Sequence, residues 1–229
     1  MQRRILDLLR RFEPRALLLA LGVIAAVWAF LTVGGEMAEG ETMALDTRLL
    51  LMLREAGDPT NPIGSRSFEE GVRDITALGG FTVLTLVTAV GALAFYFHRK
   101  HRHALVLIGT VVLAQVFSEG LKQLYGRPRP ELVPHGSYVY SGSFPSGHSM
   151  LSAATYLTFA MLIASVETRR STKALVFVLA ISLMVTVGIS RVYLGVHWPS
   201  DVLAGWAAGA AFAFMGWVAL LGLKPRPKP

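Results

Sequence analysis

Val202-Leu-Ala-Gly-Trp-Ala-Ala-Gly-Ala-Ala-Phe-Ala-Phe-Met-Gly-Trp-Val-Ala-Leu-Leu-Gly-Leu223 is a run of 22 residues without one charged side chain. A helix rises about 1.5 Å per residue, so such a run reaches across a hydrocarbon layer about 30 Å thick. Upstream, charge-free windows cover Ala16 to Gly35, Ile75 to Phe97, Ser149 to Val166 and Ala174 to Ser190. Another, Ala104 to Ser118, attains spanning length if it continues to Leu121 with Glu119 near its end. Backbone groups in lipid must find partners within their own segment, which excludes isolated strands. The chain therefore reads as all-α, an integral membrane bundle of six transmembrane helices. Composition agrees: 53% of the 229 residues are hydrophobic and 16% charged, against about 25% charged in a soluble domain. There is no cysteine, so disulfides, thiolate nucleophiles and Cys-based zinc sites are excluded.

The basic residues orient the bundle. Arg3, Arg4, Arg10, Arg11 and Arg15 precede the first window, and Arg99, Lys100 and Arg102 follow the second. Arg169, Arg170 and Lys173 separate the fourth and fifth, and Lys224, Arg226 and Lys228 follow the sixth. By the positive-inside rule this side, and with it both termini, is expected in the cytoplasm of a plasma (inner) membrane. The formal excess of +7 follows from that bias, and no nucleic-acid partner is needed to explain it. The first apolar stretch is long for the core of a signal peptide and no small-x-small cleavage site follows, so it is expected to stay as a span. The three histidines of His98-Arg-Lys-His-Arg-His103 read as a cytoplasmic anchor rather than a metal site.

The longest outer connection, Glu36 to Asp74, holds nine acids and four bases. Within it Leu45, Leu49, Met52, Leu53 and Ala56 recur at helical spacing, and Gly57 and Asp58-Pro59 are stop signals. This predicts a short amphipathic helix lying in the interface or covering the bundle. Ser67 followed by Glu70 predicts a capping box at the start of the second spanning helix. Gly79-Gly80 predicts a close helix contact or a bend. No internal repeat or low-complexity linker interrupts the chain, so residues 1–229 read as a single domain.

Three clusters fall on the outer side. Lys122-Gln-Leu-Tyr-Gly-Arg-Pro-Arg129-Pro130 and Pro145-Ser146-Gly147-His148 lie between the third and fourth spans, and Ser190-Arg191-Val-Tyr-Leu-Gly-Val-His197-Trp-Pro-Ser-Asp201 between the fifth and sixth. Lys122, Arg127, Arg129 and Arg191 are cations placed against the topological rule and call for a local anion. A phosphate fits: guanidinium and ammonium groups neutralise it and the charge that develops on its equatorial oxygens. Ser146-Gly147 opens a helix, whose unpaired N–H groups attract anions, and glycine permits close approach. His197 and Asp201, four apart, share one helix face, where the carboxylate orients the imidazole and supports its positive charge when the other nitrogen attacks. His148 is free to act as a general acid.

These segments resemble the signature of the type-2 phosphatidic acid phosphatase superfamily, which includes vanadium haloperoxidases and bacterial acid phosphatases. Its first motif, Lys, six residues, Arg-Pro, is met by Lys122, Arg129 and Pro130. The second, Pro-Ser-Gly-His, is Pro145 to His148. The third, Ser-Arg, five residues, His, three residues, Asp, is Ser190, Arg191, His197 and Asp201. All eleven fixed positions, within a motif core of 122–201, match in order and spacing. The resemblance implies that His197 is the phosphoryl-accepting nucleophile, Asp201 its orienting partner and His148 the acid for the leaving oxygen. Lys122, Arg129, Ser146, Gly147 and Arg191 would bind phosphate. Family chemistry needs no metal or other cofactor, and no acidic cluster in the sequence has two-metal character.

The expected function is a membrane lipid phosphatase working at the outer, periplasmic face through a phosphohistidine. Candidate substrates are undecaprenyl diphosphate, phosphatidylglycerophosphate and phosphatidic acid, since nothing in the motifs reads the lipid tail. Two alternatives use the same cations. A vanadate-dependent haloperoxidase-like protein would hold an oxyanion cofactor there, although its usual soluble context disagrees with six spans. A non-enzymatic lipid transporter has no use for both histidines and Asp201. Arg127, His135 and Glu119 stand outside the fixed positions, and Tyr125, Tyr138, Tyr140 and Trp198 read as interfacial belt residues. Oligomeric state is not legible.

Overall fold

The computed structural model describes residues 14–135 and 141–222. The basic residues of the extreme termini, and Tyr138 and Tyr140, lie outside them. Four unbroken helices, α1 (Pro14–Ala38), α5 (His101–Tyr125), α7 (Arg170–Tyr193) and α8 (Pro199–Gly222), accompany a central α6 (Gly147–Val166). Of α6's apolar window 72% is buried, against 17% for that of α1. The difference fits their sequences: α6 is rich in Ser, Ala and Thr, which let neighbouring backbones approach, whereas α1 carries Leu and Ile outward toward lipid. Glu119 does not interrupt α5, which runs on to Tyr125 and stops where Gly126 takes a left-handed φ of 55°.

The remaining span is a broken one. α3 (Arg66–Ala77) and α4 (Phe81–Phe97) are separated at Leu78-Gly79-Gly80 and bent by 49°. Together with the five continuous helices this makes six candidate spans. Both expectations for the glycine pair hold: the chain bends there, and a Cβ on Gly79 would collide with Val187 of α7 and press on the His148 backbone. The cap lies elsewhere than expected. Ser65, not Ser67, is the N-cap of α3, its hydroxyl accepting the Phe68 N–H at 3.2 Å, and Ser67 sits inside the helix. Ser65 has the extended backbone that a cap requires.

The outer connection also differs in part. Its helix, α2 (Met43–Leu51), ends earlier than the apolar spacing suggests. Arg54–Glu55 (β1) and Asp58–Pro62 (β2) then form a small antiparallel hairpin. Gly57, at φ 86°, turns it, and the prolines of β2 favour extended chain. The face of α2 turned to the bundle is Asp46 and Leu50, whereas Leu45, Leu49 and Met52 remain exposed. The helix is thus a cover with its leucine-rich face outward, the side on which an interface would lie.

Packing of α8 on α6 sets the register of the outer end. Gly205 and Gly209 of α8 face Ser146, Ser149, Met150 and Ala153 so closely that a Cβ at either glycine would overlap them. Above this contact, Leu50, Val133, Val192, Trp198 and Val202 form a small apolar cluster that joins α2 to the ends of α7 and α8.

Candidate active site

The three clusters converge at one end of the bundle. α5 delivers Lys122 in its last turn, α6 presents Ser146, Gly147 and His148 at its start, and α7 ends with Arg191. His197 lies in the short connection before Pro199, which opens α8 at a position that needs no N–H, and Asp201 sits in its first turn.

His197 has a different neighbour on each ring nitrogen. Nδ1 lies 3.3 Å from Asp201 Oδ2, and Nε2 lies 3.2 Å from a guanidinium nitrogen of Arg129. A guanidinium only donates, so Nε2 is the accepting nitrogen and the proton belongs on Nδ1, facing the carboxylate. That tautomer leaves the Nε2 lone pair unprotonated and turned toward Arg129. The imidazole is 2% exposed. Burial, reinforced by Arg129, Arg191 and Lys122, holds its pKa well below the ordinary value and favours the neutral ring, the form in which an imidazole is able to attack.

Arg129 is held from behind. Its Nε donates to the Ser141 carbonyl at 2.9 Å and a terminal nitrogen to the Val196 carbonyl at 2.6 Å. Arg191, 3% exposed, donates to Thr76 Oγ1 at 2.9 Å, while its Nε is buried without a protein acceptor. Lys122 pairs with Glu119 at 3.1 Å. Glu119 is about half exposed, and such pairs contribute about 0–1 kcal/mol, so this partner holds the ammonium only weakly. A Cβ on Gly147 would come within 3.1 Å of the Lys122 ammonium and 3.5 Å of Ser118 Oγ, a buried hydroxyl without a partner. Glycine there keeps open the space between the lysine and the start of α6. Ser146 is already engaged, since its hydroxyl accepts the Ser149 N–H and O–H and its own N–H donates to the Asp201 carbonyl. The anion-attracting groups of this segment are therefore the backbone N–H groups after it. His148 is partly buried beside the α3–α4 break, where a Cβ on Gly80 would stand 3.9 Å from its Nε2.

The fixed positions do not account for Arg127. It is 6% exposed and donates to Asp201 Oδ1 at 2.6 Å, Ser200 Oγ at 2.8 Å and Asp46 Oδ2 at 2.8 Å. Asp201 thus receives Arg127 on one oxygen and both His197 and the Trp198 N–H on the other. Breaking one partner out of so buried an ion-pair cluster costs about 3–5 kcal/mol. The sequence carried one sign of this, a cation placed against the topological rule and in need of a local anion. Trp198 is also no belt residue: it is 5% exposed, donates from Nε1 to the Pro128 carbonyl and lies 5.6 Å under the Arg127 guanidinium. Tyr125 turns inward as well, its ring meeting Phe144 edge-on at 4.8 Å. His135 bonds the Pro130 carbonyl at 2.8 Å, among residues lining an outer pocket with Arg54 and Tyr193. At the far end, His103 meets Ser165 and Phe95, and His101 stacks edge-on against Tyr96.

Comparison with known proteins places this arrangement. The family model described as the PAP2 superfamily matches residues 103–223. Phosphatidylglycerophosphatase B of Bacillus subtilis is 37% identical over 150 residues, which cover 64% of this chain and 72% of that protein. An undecaprenyl-diphosphatase of Sulfolobus acidocaldarius is 30% identical over 131 residues, covering 55% and 59% respectively. Among solved structures, the crystal structure of the first transmembrane PAP2 type phosphatidylglycerolphosphate phosphatase from Bacillus subtilis superposes with a TM-score of 0.77. Its identity is 27%, and the match covers 88% of this chain and 97% of that chain.

Proposed function

This chain belongs to the PAP2 superfamily and is a membrane lipid phosphatase, and we propose that it removes a terminal lipid phosphate through a phosphohistidine at His197. The observation that carries this reading is the pair of contacts on His197, carboxylate at Nδ1 and guanidinium at Nε2. Phosphate held by Lys122, Arg129, Arg191 and the N–H groups from Gly147 onward brings its phosphorus to Nε2. The new N–P bond forms as the bond from phosphorus to the lipid oxygen breaks, and His148 gives that oxygen its proton. Asp201 supports the positive charge left on the ring. Water then attacks the phosphohistidine, His148 takes a proton back, and inorganic phosphate departs. Trigonal-bipyramidal charge on the equatorial oxygens is met by the three cations, the role preorganised donors play in such sites.

Similarity to the Bacillus phosphatidylglycerophosphatase covers more of both chains than similarity to the undecaprenyl-diphosphatase. Phosphatidylglycerophosphate is accordingly the first substrate to try, followed by undecaprenyl diphosphate and phosphatidic acid. The charge bias of the connections supports a plasma-membrane enzyme with its active site on the outer face. The test is phosphate release by the purified protein across these three lipids. Activity should persist in EDTA, and vanadate, which mimics five-coordinate phosphorus, should inhibit competitively. Loss of activity in EDTA with recovery on adding magnesium would overturn the mechanism.

A further inference from the structure

Asp46 sits far from the motif core in sequence, on a cover helix of nine residues, yet it is 2% exposed and fully engaged. Its Oδ2 accepts from Arg127, and its Oδ1 accepts the backbone N–H of Ser200 at 2.8 Å. The Ser200 hydroxyl also donates to it. Ser200 lies in the first turn of α8, whose N–H groups have no partner within the helix. Asp46 therefore caps, from another element, the helix that carries Asp201, and neutralises the arginine that grips Asp201.

We propose that Asp46 is a positioning residue for phosphoryl transfer, acting through Arg127 and the start of α8 to hold Asp201 against His197. The chain of contacts is continuous: Asp46 to Arg127 at 2.8 Å, Arg127 to Asp201 at 2.6 Å, Asp201 to His197 at 3.3 Å. Arg127 bonds the oxygen of Asp201 that His197 does not use, so its placement rotates the carboxylate that selects the imidazole tautomer. Without Asp46 the guanidinium would have one carboxylate instead of two, and would draw Asp201 toward itself. None of these contacts involves Lys122, Arg129 or Arg191, so phosphate binding is served by a separate set of groups. The outer connection then has a task in catalysis beyond covering the bundle.

The inference rests on the phosphohistidine reading, and the experiment separates the two. Turnover, KM and the inhibition constant of inorganic phosphate are measured in detergent for the wild type, Asp46→Asn, Asp201→Asn and the double variant. Nitrophenyl phosphate and the preferred lipid serve as substrates. Asp46→Asn should lower kcat at least about tenfold on both, while KM and the phosphate inhibition constant stay within about twofold. Because both residues act through one carboxylate, the double variant should be little worse than Asp201→Asn alone. Arg127→Lys keeps the charge but loses the two-sided grip, and should show the same kcat-only loss if Asp46→Asn is recovered in too small a yield. Unchanged kcat, a loss confined to KM, or losses that multiply in the double variant would each overturn the positioning role. A wild type that releases no phosphate would instead overturn the function from which it starts.

Discussion

The proposed mechanism asks different things of His197 and His148, and single substitutions separate them. Attack on phosphorus is indispensable for every substrate, so His197→Ala should abolish turnover of lipid and nitrophenyl phosphate alike. Protonation of the leaving oxygen typically contributes about 10²–10⁴-fold, and matters most for a poor leaving group such as the alkoxide of phosphatidic acid. Nitrophenolate leaves without such help. His148→Ala should therefore lose far more activity on the lipid than on nitrophenyl phosphate, read as a ratio within each variant so that yield and extraction cancel. Equal losses on the two substrates would assign His148 to phosphate binding. At this scale the eleven motif positions were legible in the sequence because their spacing carries the pattern. Arg127 and Asp46 were not, because their meaning lies in partners 74 and 81 residues from Arg127.

The helices that carry these residues owe their relative heights to glycine. Gly205 and Gly209 let α8 lie against α6 with almost no side chain between them, and Asp201 rides one turn above Gly205 on that same helix. Gly209→Leu should drive the helices apart, since even a Cβ there would come within 2.7 Å of Ala153. Overpacking of this kind costs about 1–3 kcal/mol, so the thermal midpoint in detergent should fall and activity with it. Gly109 of α5 has no atom near where its Cβ would be, and Gly109→Ala should leave the midpoint unchanged or raise it slightly. Identical midpoints for both variants would mean that the α6–α8 contact does not set the fold. Element boundaries divide in the same way between local and distant causes. Gly126 ends α5 by its own backbone freedom, whereas the break at Gly79-Gly80, readable as a bend or close contact, is shaped by Val187 and His148 from other helices.

Among the described residues, Arg99, Lys100, Arg102, Arg169, Arg170 and Lys173 lie at one end of the bundle with Glu167 as their one acid, and the motif residues lie at the other. The charge rule that places the basic end in the cytoplasm predicts which face reacts with a reagent that cannot cross lipid. The chain has no cysteine, so single thiols report cleanly. Asn61→Cys, exposed on β2, should label with an impermeant maleimide from outside intact cells. Ser171→Cys, exposed at the start of α7, should label only after permeabilisation. The reverse pattern would put the phosphate site in the cytoplasm and exclude outer-leaflet substrates.

The sequence by itself determined the membrane class, the six apolar crossings and the motif residues proposed to handle phosphate. Each of these is a local property: a charge-free run either has the length of the hydrocarbon layer or does not, and a motif is read along the chain. Tertiary structure decided what the neighbouring charges do. Arg127 and Arg129 are two residues apart, yet one grips Asp201 from below and the other faces the open nitrogen of His197. The turn at Gly126, the seat of Trp198 beneath Arg127 and the arrival of Asp46 over the start of α8 make that distinction. A buried ion pair forms only where packing brings both charges together and excludes water. No periodicity along the chain encodes that meeting.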